Sequence, residues 1–451
     1  MTWKTTNTAK GDNKLYSDAK GVVPSLDLRF AESKTLNDYI TGQNLITFSR
    51  ADATTCATYV DSNGIIQTAA ANVPRFDHDP ATGESLGLLI EEARTNLIPY
   101  SSPANSWWTK PFLTHTSASV DNPFNYSAVR KHRATTDLFQ HYFHRDDSTL
   151  LNANTDYTFS AFVAPEGTGA DAGKIQLRIF LIGADSGFIN FDLNTGQFNA
   201  QAGTSGTSAG GSSWSISDYG MQPYADGWYR VWMTFRSTLT CSVGIVSIDS
   251  LNAPDFYGYP SAATGGYYIA GIQVEQGTFR TSVIPTDGAT VTRAADVAEI
   301  TGANFSSFYN QSEGTVFSEY EWNLNNQSNY TFPWYIFQDG PNGVFHGNWG
   351  DTTRQRLSVR FNQTDIAIVI NIPDSAPGVM NKIATTIKPF DYAVSSNGST
   401  VVSYTARDLA DNMVSLYIGG TSSSYKINGH IKRLSYFPTR LPDATLQSIT
   451  S

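Results

Sequence analysis

The nonapeptide Trp228-Tyr-Arg-Val-Trp-Met-Thr-Phe-Arg236 alternates with a period of two, and that period, repeated along the chain, restricts the fold more than any other feature. On an extended strand Tyr229, Val231, Met233 and Phe235 share one face, while Trp228, Arg230, Trp232, Thr234 and Arg236 share the other. The first face reads as core and the second as the lining of a concave sheet surface. Comparable runs at 157–163, 174–182, 188–193, 243–248 and 267–274 are separated by Gly, Asn, Asp and Ser, the spacing of a β-sandwich. A second series lies at 314–322, 335–338, 357–361, 366–370, 382–387, 400–405, 414–418 and 431–437. Its alternating Leu357, Val359, Phe361 and Ile366, Ile368, Ile370 again bury one face per strand. The chain is therefore expected to be all-β with two sandwiches. Helix signals are confined to 33–39 and 442–449, the latter with Pro442 in its first turn.

Composition agrees with this reading, since aromatic residues make up 13% and charged residues only 16%, a balance that suits pleated, half-buried surfaces and disfavours long exposed helices. A length of 451 residues exceeds one ordinary core. Four segments are expected: a polar N-terminal arm at 1–24 that orders on a partner, a small β-rich anchoring region at 25–95, and sandwiches at 96–299 and 300–451. Within the second segment, Asn63-Gly64 followed by Ile65-Ile66 signals a hairpin, for which a type I′ turn needs positive φ at both central positions. The segment is too small to bury its own core and is expected to pack on a neighbour. The Gly/Ser/Thr-rich stretch 200–213 reads as a flexible surface loop.

Several classes of function are disfavoured. Thirty basic against forty acidic residues give a formal charge of −10, and without a dense Lys/Arg run neither nucleic acid nor anionic lipid is an expected partner. Cys56 and Cys241 stand far apart and read as two buried free thiols rather than a disulfide or zinc site. Residues 1–20 contain no signal-peptide core, and no run of about 18 apolar residues would span a membrane. Synthesis in a cytoplasm without an export signal is the corresponding expectation.

Three stretches carry a family resemblance. Leu26-Asp-Leu-Arg-Phe30, Ile46-Thr-Phe-Ser-Arg50, Ala57-Thr-Tyr-Val60 and Leu89-Ile-Glu-Glu-Ala-Arg-Thr-Asn-Leu97 resemble the N-terminal region of bacteriophage minor structural and fibre proteins. Asp226-Gly-Trp-Tyr-Arg-Val231 with Gly266-Tyr-Tyr-Ile-Ala-Gly-Ile-Gln-Val-Glu-Gln-Gly277 is similar to head-spike or fibre domains of carbohydrate-binding-module type. Gly429-His-Ile-Lys-Arg-Leu-Ser-Tyr-Phe-Pro438, with Arg440-Leu-Pro-Asp443, looks like the closing strand of a concanavalin-like, laminin-G-type sandwich. The resemblance implies a virion appendage on the particle surface, built of two jelly-roll/concanavalin-like modules. It also implies a homotrimer attached through its N-terminal region to other virion proteins. It supplies no catalytic residue.

The chemistry written in the side chains points to a sugar ligand. Aromatic faces stack on the C–H patches of pyranose rings, and Asn, Asp, Arg and Gln complete the hydroxyl hydrogen bonds. The candidates are Trp232 with Arg230 in the first sandwich, Trp334, Tyr335, Trp349 and Arg354 in the second, and Trp107 with Trp108. For each tryptophan, packing is the competing reading. Glu319 and Glu321, two apart on one strand face, could supply the acid and nucleophile of a retaining glycosidase. The segment lacks the third acid of the usual Glu-x-Asp-x-x-Glu pattern, however, and alternating acids also mark the solvent face of an edge strand. His141 and His144 are expected to face opposite sides of a strand, and His78, His115, His132, His346 and His430 show no metal-ligand spacing. Calcium at Asp121-Asn122 or Asp351 has no loop motif behind it. No cofactor and no enzymatic activity are expected. A non-enzymatic adhesin for host-surface glycan is the leading reading, with a ligand-free structural spacer and a polysaccharide depolymerase as rivals.

Overall fold

A computed structural model describes residues 12–124, 129–145, 151–181, 186–199, 205–208, 211–255, 258–323, 331–338, 342–348, 355–361, 364–368, 378–405, 412–421 and 425–451. The fold is nearly all-β, and every strand pairing among the described residues is antiparallel. Two sandwiches account for most of it.

In the central sandwich, the strands Thr155–Gly167, Tyr229–Ser237, Gly265–Gln276 and Gly211–Pro223 form the middle of a seven-stranded sheet. A five-stranded sheet containing Lys174–Leu181 and Cys241–Ser247 faces it. Val231, Met233 and Phe235 are completely buried between the sheets, and Tyr229 packs against the same cluster. The alternation of 228–236 thus gives the inter-sheet core its residues as the period requires. The other face is no open surface: Trp228 and Thr234 are buried, Trp228 within a second apolar cluster with Phe162 and Tyr224, and only Trp232 and Arg236 retain substantial exposure.

The other sandwich is assembled from both ends of the chain. Its eight-stranded sheet joins Gly314–Tyr320, Asn381–Ile387, Tyr392–Ser396 and Gly429–Phe437 to Leu26–Leu28, Phe76–His78 and Ser85–Ile90. Leu26 pairs with Tyr436 and Ile90 with Gly429. The opposing seven-stranded sheet likewise takes Thr47–Ser49 beside Val297–Thr301. A single core containing Leu28, Phe30, Ile90, Trp334, Val359 and Leu434 fills the space between them. The units are therefore drawn differently from the sequence expectation. Most strands of segment 25–95 are integral to the C-terminal sandwich, while its hairpin at 57–69 packs through Val60 and Ile66 on Phe124, Phe162 and Trp228 of the central unit, which is inserted between the two parts of that sandwich. The connection is a two-stranded ribbon in which Arg94–Asn96 pairs with Val291–Arg293.

Several local expectations are corrected. The stretch 12–24, expected to order only on a partner, contains the helix Asp12–Asp18, whose Leu15 packs with Phe317, Leu446 and Ile449 of the same chain. The helix expected at 33–39 is instead the single turn Phe30–Ser33, closed by Lys34 at φ +49°. Asp443–Thr450 follows Pro442 as read. The hairpin joins Ala57–Val60 to Ile66–Ala69, but its turn is not type I′. Only Gly64, at φ +78°, adopts the left-handed region, while Asp61 Oδ1 accepts from the backbone N–H of Asn63 and Ile65. Part of the stretch 200–213 is an edge strand, Ser205–Ser208, rather than a loop. Cys56 and Cys241 are both buried and unpaired, and no helix among the described residues is long and apolar enough to cross a membrane.

Candidate functional site

A cleft of about 320 Å³ opens where the inserted sandwich meets the other one, at the lower end of the roughly 300–1,000 Å³ typical of small-molecule sites. One wall is the hairpin around Tyr59 and Ile66 with the turn His78–Pro80. The second carries Gln222, Tyr224, Arg230 and Arg280, and Glu321 and His430 close the third side.

His430 sits between two carboxylates, with Nδ1 2.5 Å from Glu321 Oε1 and Nε2 2.9 Å from Asp77 Oδ2. Backbone pairing fixes this arrangement. The Glu321 N–H donates to the His430 carbonyl and the His430 N–H to the Glu321 carbonyl, while His430 stands opposite Leu89 on the strand next to that of Asp77. Burial alone would depress the imidazolium, but Glu321 and Asp77 reverse that and raise its pKa to about 10. Burial likewise works to raise the Glu321 carboxyl, yet the His430 charge holds it below the usual carboxylate range. The result is a largely buried cation bonded on both ring nitrogens.

The opposite wall carries two guanidinium groups. Arg230 is only 5% exposed, donates from Nη2 to Ser160 Oγ at 3.1 Å and leaves Nε without a hydrogen-bond partner. Arg280 donates to Gln222 Oε1 at 3.2 Å and lies over the Trp232 indole, its guanidinium carbon 3.7 Å from the ring centroid. Trp232 is half-buried, donates from Nε1 to Asp218 at 2.8 Å and covers Gly220, where a Cβ would collide with the indole at 2.6 Å. Burial and the neighbouring Arg230 lower the Arg280 pKa to about 10. Tyr224, 9% exposed, completes this wall, and burial pushes its phenol up to about 12.

Behind the cleft lies a buried ionic knot. Arg75 donates to Glu91 at 2.8 Å and to Asp296 at 2.5 Å, and Arg293 lies 3.1 Å from Glu91. Arg50 bridges Asp52 and Asp296. Glu91 also accepts from the N–H and hydroxyl of Ser282. Burial opposes the charge on Glu91, but Arg293 and Arg75 hold its carboxyl far below the ordinary range. Three residues later, Arg94 stacks on Phe279, and Asn96 donates to the carbonyls of Ile272 and Ile284. The run Leu89–Leu97 is thus the fastening between the two sandwiches. A second groove, of about 580 Å³, runs beside the ribbon. Its charged side chains are paired, Arg94 with Glu92 and Asp156 with Arg236, which leaves the first cleft as the candidate site.

Of the residues singled out from sequence, Arg230 lines this cleft, and Trp232 is not part of the lining but lies under Arg280, which is. Trp334 is completely buried between the sheets and is a core residue. Tyr335, 8% exposed, packs with Phe332 and Phe345 in a separate cluster. Trp108 stacks on Phe143 in the central core, so it too is corrected to a packing role. Trp107 is half-buried beneath Arg145, away from the cleft. Trp349, Arg354 and Asp351 lie outside the described residues. Glu319 belongs to a central strand, not an edge strand, because Gly314–Tyr320 runs between Asn381–Ile387 and Gly429–Phe437, and Glu321 lies just past the end of that strand. A register shift after Glu319 separates the two acids, and only Glu321 reaches the cleft. His141 is fully buried between the carbonyls of Phe112 and Tyr259, and no group of three metal-ligating side chains occurs among the described residues. Asp77, Tyr224, Arg280 and His430 were not singled out from sequence as site residues. For His430 the trace available was its place in the Gly429–Pro438 run, whereas its partners come from positions 77 and 321.

The site and fold define a double β-sandwich with an interdomain cleft, and comparison with known proteins adds likeness of limited extent. No family model and no curated relative matches the chain. Among solved structures, the chain is similar to the Ruminococcus gnavus IT-sialidase CBM40 bound to α2,3-sialyllactose, at 15% identity and a TM-score of 0.27, over 33% of this chain and 88% of that one. It is also similar to mouse laminin α1 chain domains LG4-5, at 12% identity and a TM-score of 0.23, over 72% of this chain and 98% of that one. Trypanosoma rangeli sialidase in complex with the inhibitor DANA matches at 9% identity and a TM-score of 0.27, over 71% and 60%.

Proposed function

We propose that this protein is a non-enzymatic carbohydrate-binding adhesin. The observation that carries the reading is the cleft wall of Arg230, Arg280, Gln222 and Tyr224, with the Trp232 indole beneath Arg280. Planar donors, an amide and the rings of Tyr59 and Tyr224 in one concavity are the groups that bind sugar hydroxyls and pyranose faces. Catalysis is disfavoured by the acids themselves. Asp77 and Glu321 both face His430, and Glu321 is held ionised, whereas glycoside cleavage needs one carboxyl kept protonated at working pH. The resemblance of the three sequence stretches extends the proposal to a bacteriophage surface appendage. Several copies per fibre would there convert weak single-site binding into avidity. The test is binding of the purified chain to surface polysaccharide, with the glycan sized afterwards. Retention of full-length glycan, with affinity lost in Trp232→Ala, supports the adhesin. Shortened glycan would establish a depolymerase instead, and no binding in a properly folded chain would leave a structural spacer.

A further inference from the structure

The cleft is asymmetric in how its charges are satisfied. Every carboxylate lining it already has partners. Asp77 and Glu321 hold His430, Asp79 accepts from the backbone N–H of Ala81 and Thr82, and Glu91 lies within the Arg75–Arg293 knot. The guanidiniums on the facing wall have no such partners. Among the described residues, neither Arg230 nor Arg280 makes an ion pair with a carboxylate; their bonds go to the neutral oxygens of Ser160 and Gln222. The nearest acids are occupied, Asp218 by the Trp232 indole and Glu275 by the N–H and hydroxyl of Thr281.

The two cations are also held together. Gln222, which accepts from Arg280, stands directly opposite Arg230 across the strand pair. Two like charges side by side, one of them more than nine-tenths buried with its Nε unsatisfied, cost stability unless something offsets them. Lowering of the Arg280 pKa to about 10 by burial and by Arg230 is consistent with that tension. Fork-shaped donors in a partly dry concavity match the geometry of a compact oxyanion.

Building on the carbohydrate reading, we infer that Arg230 and Arg280 form an anion subsite, so that the glycan bound in this cleft is acidic and presents a carboxylate or phosphate on the sugar to the two guanidiniums. Trp232, stacked beneath Arg280, then serves as the platform that holds this guanidinium in place.

The experiment is calorimetric titration of the full chain with a glucuronate-containing oligosaccharide and with the same oligosaccharide after reduction of its carboxyls to alcohols. Glucose 6-phosphate and free glucuronate serve as small probes that separate phosphate from carboxylate. Charge-assisted bonds to one anion predict that the acidic oligosaccharide binds about tenfold or more tightly than its reduced form. Arg280→Gln should abolish that preference, and Arg280→Lys should retain part of it. Because Arg280 is only half-buried, its variants keep the test decisive if Arg230→Gln does not fold. Preference for the phosphosugar over glucuronate would support the subsite and assign phosphate as its anion. Equal affinity for acidic and reduced forms, or a preference surviving Arg280→Gln, overturns the anion subsite while the carbohydrate reading stands. Binding of neither oligosaccharide, nor of neutral polysaccharide, overturns both.

Discussion

Replacing His430 by glutamine removes the cation between Asp77 and Glu321 while keeping a polar side chain of similar reach. The unfolded imidazole titrates near 6.5 and the folded one near about 10, so linkage at about 1.4 kcal/mol per unit sets a ceiling of ~5 kcal/mol on the contribution of the charge. The three groups titrate as a unit, and His430 retains 12% exposure, so we expect about 3 kcal/mol, the lower end of the cost of breaking a buried pair. Because the folded pKa is raised, this stability is fully present below the unfolded value and is lost as pH rises through the folded one. Urea denaturation of wild type and His430→Gln should therefore differ by ~3 kcal/mol at about pH 6 and by less than ~1 kcal/mol at about pH 11. Taking the difference at each pH cancels the titration of tyrosines and lysines common to both proteins. A gap that is the same at both pH values would show that His430 acts through packing and not through its charge.

Glu91→Gln should destabilise by about 3–5 kcal/mol, since it leaves Arg75 and Arg293 buried beside a neutral amide. The Glu91 carboxyl is depressed in the fold, so its stability is present above the unfolded carboxylate pKa and is lost as pH falls toward the folded one. Chemical denaturation in acid should show a shallower decline for the variant. Trp334→Ala removes a fully buried indole and should cost about 3–5 kcal/mol, with glycan affinity per folded molecule unchanged by titration. Trp232→Ala should do the reverse, losing affinity while shifting stability by about 1 kcal/mol or less. Gly64→Ala, at φ +78° with the Pro80 carbonyl 2.7 Å from the added Cβ, should cost about 1–3 kcal/mol in thermal unfolding.

Strands and their faces were legible wherever alternation was clean. The expected run 157–163 lies inside Thr155–Gly167, and in 228–236 the inter-sheet face is as read, whereas burial of Trp228 and Thr234 on the other face is not encoded in the alternation. Pairing between distant segments left no local trace: nothing near Leu26 in the chain indicates that Tyr436 is its neighbour. For the tryptophans, Thr331–Phe337 is apolar on both faces, so alternation could not indicate which side met solvent, and Trp334 and Tyr335 are in fact buried on different sides. Arg230 was found because it shares a face with Trp232. Arg280 belongs to no periodic run, and its stacking on Trp232 depends on a chain reversal after Gln276 that hydrophobic pattern does not encode.

The inserted sandwich is tied to the rest of the molecule by two chain crossings that lie side by side in the Arg94–Asn96 and Val291–Arg293 ribbon. A unit hung from a single linker can swivel about its bonds, but one hung from two adjacent strands cannot turn without twisting them around each other. Tension applied to the inserted unit enters both strands in the same direction. The ribbon's hydrogen bonds are then neither sheared nor unzipped, and the load falls on covalent backbone and on the ionic knot at Glu91. The inserted unit is therefore held at a fixed angle to the remainder of the protein, and a pull on it is transmitted as a force rather than dissipated as rotation.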